Sequence, residues 1–132
     1  MDQEGMVVAH LTDELIQSGE QLTIYLDNKM IIKASMWILE RESNSWKFVI
    51  GTPEVTTKGP RKIYSTVQAA LEKNHSISGI TLSDIAVVSM VSPIISLMKV
   101  AISTGKAIQR LRFTRTTING FFVEDALIYR MQ

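Results

Sequence analysis

The side chains that could support catalysis or bind a metal are few and scattered in this sequence. The only histidines, His10 and His75, lie far apart and have no obvious ligand partner. There is no cysteine, which excludes disulfides, thiolate metal sites and a cysteine nucleophile. Glycine-rich phosphate loops, an H-E-x-x-H helix and a G-x-S-x-G elbow are also missing from the sequence. We therefore predict no catalytic residue, no metal and no cofactor.

Carboxylates offer a second possibility. Glu40 and Glu42 share the parity of one predicted strand, and paired carboxylates can bind Mg²⁺ or transfer protons. A two-residue turn would, however, place Glu40 opposite Lys47 in the first hairpin, and the second hairpin places Glu124 opposite Arg115. Cross-strand ion pairs therefore explain these carboxylates better than a metal site does.

A basic segment surrounds Gly59-Pro60, where proline suits the first position of a helix. The free N–H groups and partial positive charge of a helix start can hold an anion. The second half of the chain adds further bases near its last hairpin. The predicted anion-binding candidates are Lys58, Arg61, Lys62, Lys106, Arg110 and Arg112.

Large apolar side chains gather on one face of the first predicted hairpin: Trp37, Leu39, Trp46 and Phe48. Three interpretations apply to them, in this order: core under the first helix, a protein interface, or a platform that stacks single-stranded bases beside arginines. The opposite face of the same hairpin, with Met36, Ile38 and Val49, is apolar too. Both faces of this hairpin therefore require cover.

Periodicity and turn signals predict the element order α-ββ-α-β-α-ββ. Asn119-Gly120 is the clearest hairpin tip. The predicted helices cover residues 7–27, 60–74 and 93–103, and the predicted strands cover 30–41, 46–52, 84–91, 108–117 and 121–130.

The central strand of the expected sheet is 84–91, because this short run is apolar at both parities. Helical crossovers would make strands two, three and four parallel. The expected fold is an α+β single domain over 1–132, with a five-stranded mixed sheet and three helices largely on one face.

Charge is distributed unevenly along the 132 residues. Residues 1–57 carry nine acids and four bases, whereas residues 58–132 carry four acids and ten bases. Such a chain could associate with itself or present a basic face to an anion. The acidic first residues do not resemble an export signal, and no apolar stretch is long enough to span a bilayer. A cytoplasmic protein without membrane contact is expected.

Three functions follow, in order of preference. The first is a small non-catalytic interaction module, a homodimer through a sheet face or edge, with another protein as a possible partner. The second is nucleic-acid or other anion binding by the basic second half of the chain. The third is an enzyme, which would require a pocket where polar groups such as Lys33, Arg112, Asp125 and Tyr129 converge.

Overall fold

Four helices and five strands form the part of the chain that the computed structural model describes, residues 10–132. In chain order the elements are α1 (Asp13–Asp27), β1 (Ala34–Glu40), β2 (Ser45–Gly51), α2 (Glu54–Lys58), α3 (Pro60–Lys73), a 3₁₀ turn (Leu82–Asp84), β3 (Ile85–Val88), α4 (Pro93–Ala101), β4 (Leu111–Ile118) and β5 (Phe121–Met131). The predicted α+β fold with a five-stranded mixed sheet is confirmed. The short helix α2 lies in a segment predicted to be a loop.

The helix ends follow local chemistry. Thr12 caps α1, since its Oγ1 accepts a hydrogen bond from the Leu15 N–H at 3.2 Å. The helix therefore begins later than the predicted residue 7, and residues 7–9 of that prediction lie outside the described residues. Pro60 and Pro93 each occupy a first helical position, as expected from their fixed φ.

The strands lie in the order β3-β2-β1-β5-β4, and the β2–β3 pair is the parallel one. The predicted central strand, 84–91, is therefore an edge strand of four residues, and β1 occupies the middle. The prediction of three parallel strands is also wrong, because β4 lies at the far edge and runs antiparallel to β5. The strand is apolar on both sides because helices cover both faces of the sheet. Ile85 and Val87 pack into the core on one face, and Val88 contacts the core on the other.

The β4–β5 hairpin has the predicted register, with Leu111 opposite Ile128. Its tip is Asn119-Gly120, with φ of 50° and 82°. The β1–β2 register differs by two residues, since Glu40 pairs with Ser45 rather than Lys47. The turn spans four residues, 41–44, where two were predicted. A shift of two preserves the face of every side chain, so the predicted grouping of apolar residues still holds.

Each face of the sheet carries its own core. On the first face, α1 and α3 cover a cluster that includes Trp37, Phe48 and Tyr129. On the second face, α4 packs over a cluster that includes Met36 and Ile128. The expectation of helices largely on one face therefore holds for α1 and α3, whereas α4 covers the opposite face.

Candidate functional site

The four residues predicted as interface candidates are all buried on the first face. Trp37, Leu39, Trp46 and Phe48 lie in the cluster under α1 and α3. The Trp37 and Phe48 rings meet edge to face at 5.0 Å between centroids, and the Trp37 Nε1–H donates to the Leu15 carbonyl at 3.2 Å. These side chains are core in the folded chain, which is the first of the three interpretations that the sequence allows.

Gly19 allows α1 to cover this face closely. A Cβ at this position would lie 2.5 Å from the Tyr129 hydroxyl oxygen and 2.7 Å from Trp37 Nε1. α1 continues through Gly19 without a break, so the helix approaches the sheet closely at this position.

The anion-binding candidates do not form one cluster. Lys58 binds Glu54 at 2.7 Å, and together with the Ile31 N–H it lowers the pKa of that carboxyl. Arg110 binds Glu20 at 2.7 Å.

Arg112 on β4 forms a bidentate pair with Asp125 at 2.7 and 2.8 Å. Its guanidinium group also lies over the Trp46 ring. Asp125 raises the pKa of Arg112 through this hydrogen bond. The Lys106 carbonyl accepts from Arg130, while Arg61 and Lys62 are exposed on the first turn of α3. Three of the six candidate cations are thus already neutralised by carboxylates.

The second face contains a groove of about 380 Å³ where the two hairpins end beside α4. We call it the α4-side groove. Its apolar lining comes from Ile38 and Val49 on β1 and β2, Ile94 on α4, and Phe121 and Phe122 at the start of β5. Phe121 is 53% exposed, an unusual state for an aromatic side chain in a folded domain.

The groove stays open because α4 is too short to cover the sheet. Five strands spaced by about 4.8 Å make a sheet roughly 19 Å wide. The nine residues of α4 extend only about 14 Å, and one helix is about 10 Å across. The first face has two helices of 15 and 14 residues instead. Because the second face has less helix cover, apolar surface stays open beside α4.

Charged side chains of both signs surround the α4-side groove. The carboxylate of Glu124 lies 3.9 Å from Arg41 and 3.9 Å from Arg115. The Arg41 guanidinium also lies 5.4 Å from the centre of the Phe122 ring. Of the two ion pairs expected from the hairpin registers, Arg115 with Glu124 is present. Glu40 accepts from Ser43 instead of pairing with Lys47.

Groups suited to catalysis do not converge in the described residues. Asp125 pairs with Arg112, and the Tyr129 hydroxyl is buried and donates to the Ile16 carbonyl at 2.6 Å. Burial raises the pKa of Tyr129 well above its ordinary range. Between residues 10 and 132, no three His, Asp or Glu side chains are placed to hold a metal ion.

The sequence indicates that the second face of the first hairpin is apolar, but it does not indicate the groove. Ile38 and Val49 were recognised as side chains that require cover. The missing signal was Phe121-Phe122, two adjacent aromatic side chains directly after the predicted hairpin tip.

Comparisons with protein-family models, with curated proteins and with solved structures find no match to this chain. None of the described helices combines the length and apolar character needed to cross a bilayer.

Proposed function

We propose that this chain is a non-catalytic binding module that self-associates through the second face of its sheet, where a second copy of the chain occupies the α4-side groove. The observation that carries the proposal is the apolar surface left open beside the short helix α4. Exposed apolar patches rimmed by polar groups commonly mark protein interfaces. A cytoplasmic location belongs to the same proposal, because a chain without cysteine needs no oxidising compartment.

Exposed apolar side chains concentrate around α4 and the groove. In the described residues, six large apolar side chains are exposed, and four of them belong to this region. Val91, in the turn before α4, is 84% exposed. The four side chains are Val91, Val100, Phe121 and Phe122.

A second copy suits this surface because the face carries both a groove and a projection. Val91 lies just before the α4 residue Ile94, which lines the groove. In a two-fold dimer each copy offers the same patch, so a projection of one copy can enter the groove of the other. The rim adds bases such as Arg41 and Lys47 to acids such as Glu124, which allows opposite charges to meet across the axis.

The sheet edges are less suitable for pairing. The edge strand β4 carries Arg112 and Arg115, and charged side chains oppose edge-to-edge association. Arg115 also has φ of 47°, and it lies in a gap in the β4–β5 register. The other edge, β3, has only four residues. These features favour the face over the edge.

The alternative of nucleic-acid or anion binding by the basic second half has less support. Arg110 and Arg112 bind carboxylates of the same chain, and phosphate contacts would require these pairs to break. An enzyme has no converging polar groups in the described residues to support it.

A pair of matched variants tests the proposal by light scattering after size-exclusion chromatography. Phe121 in the groove and Ile31, in the loop before β1, are both 53% exposed. We expect wild type and Ile31→Lys to elute with twice the chain mass of 14.8 kDa. Phe121→Lys should weaken the dimer about tenfold or more, since it buries a charge where an aromatic ring was.

Circular dichroism provides the fold control, because each variant must keep the spectrum of the wild type. Equal dissociation by both variants, or a wild-type monomer, would contradict the proposed interface.

A further inference from the structure

A second, smaller cleft of about 260 Å³ lies on the other side of the sheet, between α1 and α3. Its walls are Tyr25 and Lys29 from the end of α1, and Ser65, Thr66 and Lys73 from α3. Ala69 and Ala70 complete the lining. Two lysines and three residues with hydroxyl groups therefore line one cleft, and none of its lining residues is acidic.

The two lysines differ in their partners from four other cations of the chain. Lys58, Arg110, Arg112 and Arg130 each bind a carboxylate of the chain. Within the described residues, neither cleft lysine has an acidic partner. Lys29 lies above the ring of Tyr25, with Nζ 5.5 Å from its centre, which helps to hold the ammonium group at the cleft.

The available hydrogen-bond donors suit an anion. The Thr66 hydroxyl donates to the Lys62 carbonyl at 3.2 Å and is already engaged. In the described part of the chain the hydroxyls of Tyr25 and Ser65 have no hydrogen-bond partner. Both can therefore donate to a ligand, in addition to the two ammonium groups.

We propose that this cleft binds a phosphate group. Two like charges that face one cavity repel each other, and an anion between them removes that repulsion. A compact tetrahedral dianion can accept from two ammonium groups and two hydroxyls at once, whereas a carboxylate has fewer acceptor oxygens to do so. The cleft volume of about 260 Å³ leaves room for a phosphate group and its hydration.

The position of the lysines near helix ends is not sufficient to explain the cleft. Lys73 is the last residue of α3, and Lys29 follows the end of α1. The helix dipole stabilises a cation at these positions. A dipole role requires neither convergence on one cleft nor free hydroxyls beside the lysines. The two explanations predict different responses to phosphate.

A titration with inorganic phosphate, followed by ¹H–¹⁵N NMR, distinguishes them. Chloride keeps the ionic strength constant, and the pH is held at 7.5 so that phosphate is mainly a dianion. We expect saturable shifts confined to the amides near Lys29, Ser65 and Lys73. The double variant Lys29→Gln/Lys73→Gln should weaken binding at least about tenfold, because two charge-assisted hydrogen bonds are lost.

The matched control removes two exposed charges from the other end of the same helix. Arg61→Gln/Lys62→Gln should bind phosphate as the wild type does, because neither residue lines the cleft. Shifts that do not saturate, that persist in the cleft variant, or that disappear in the control variant would overturn the proposal. The cleft lies on the first face and the groove on the second, so this result is independent of self-association.

Discussion

At the scale of single residues, Tyr129 on the first face combines apolar packing of its ring with a hydrogen bond from its hydroxyl group. Its ring is buried and lies 6.1 Å from the Phe48 ring between centroids. Its hydroxyl donates to the Ile16 carbonyl of α1. The absent side chain of Gly19 leaves space for this contact. A single buried phenol therefore links β5 to α1, and its ionisation is opposed by burial.

The raised pKa of Tyr129 predicts a specific loss of stability in alkali. The phenol has an unfolded pKa of about 10, and burial raises the folded value above this. The contribution is therefore complete below about pH 10, and it decreases as the pH rises further, by about 1.4 kcal/mol per pH unit. Urea unfolding between pH 8 and 11 measures this slope.

A phenylalanine variant isolates the effect. Tyr129→Phe should remove this part of the slope and cost about 1 kcal/mol at neutral pH, since the Ile16 carbonyl loses its side-chain donor. Identical slopes for Tyr129→Phe and the wild type would show that Tyr129 is not the group responsible.

At the scale of secondary-structure elements, one arginine joins three segments. Arg130 on β5 binds Asp27 at the end of α1 through two bonds of 2.7 and 2.9 Å. It also donates to the carbonyls of Ile32 and Lys106, in the segments before β1 and after α4. The side chain of Arg130 is 8% exposed. These contacts explain how an arginine is retained in a buried position.

Burial predicts unequal effects from two similar substitutions. Arg112 also forms a bidentate pair, in which its Nε and Nη2 donate to Asp125, but its side chain is 42% exposed. Arg130→Lys should lower the free energy of unfolding by about 2–4 kcal/mol, because a lysine cannot satisfy four acceptors. Arg112→Lys should cost less than about 1 kcal/mol. Equal losses in chemical denaturation would contradict this account of the Arg130 contacts.

The elements were predictable from the sequence to the extent that local signals specify them. Pro60, Pro93 and Asn119-Gly120 marked helix starts and a hairpin tip, and these features are present. The four-residue turn at 41–44 has no comparable signal, and the register prediction there was wrong by two residues. Side-chain alternation survived the error because its period is two.

The order of strands was not predictable in the same way. An apolar run indicates that both faces of a strand are covered. It does not indicate how many neighbouring strands pair with it. Residues 85–88 are covered on both faces although they form an edge. The pairing of β5 with β1 brings together residues about 90 positions apart, such as Met36 and Ile128, and no local pattern specifies it. The groove depends on this arrangement, so it could not be located from the sequence.

At the scale of the whole molecule, part of the uneven charge of the sequence is matched within the fold. Acids of α1 meet bases from the last third of the chain, as in Glu20 with Arg110 and Asp27 with Arg130. The acidic and basic halves therefore neutralise one another where they pack, and they leave no extended basic surface at these arginines. Unequal apolar cover of the two faces remains the main asymmetry of the described structure.

Sedimentation equilibrium at low and high salt tests the proposed interface most directly. Apolar burial between two copies is not weakened by added sodium chloride, whereas attraction between charged edges is screened. We predict a dimer whose dissociation constant falls or stays constant between 0.05 and 1 M salt. A monomer at every concentration, or a dimer that salt dissociates, would contradict self-association through the α4-side groove.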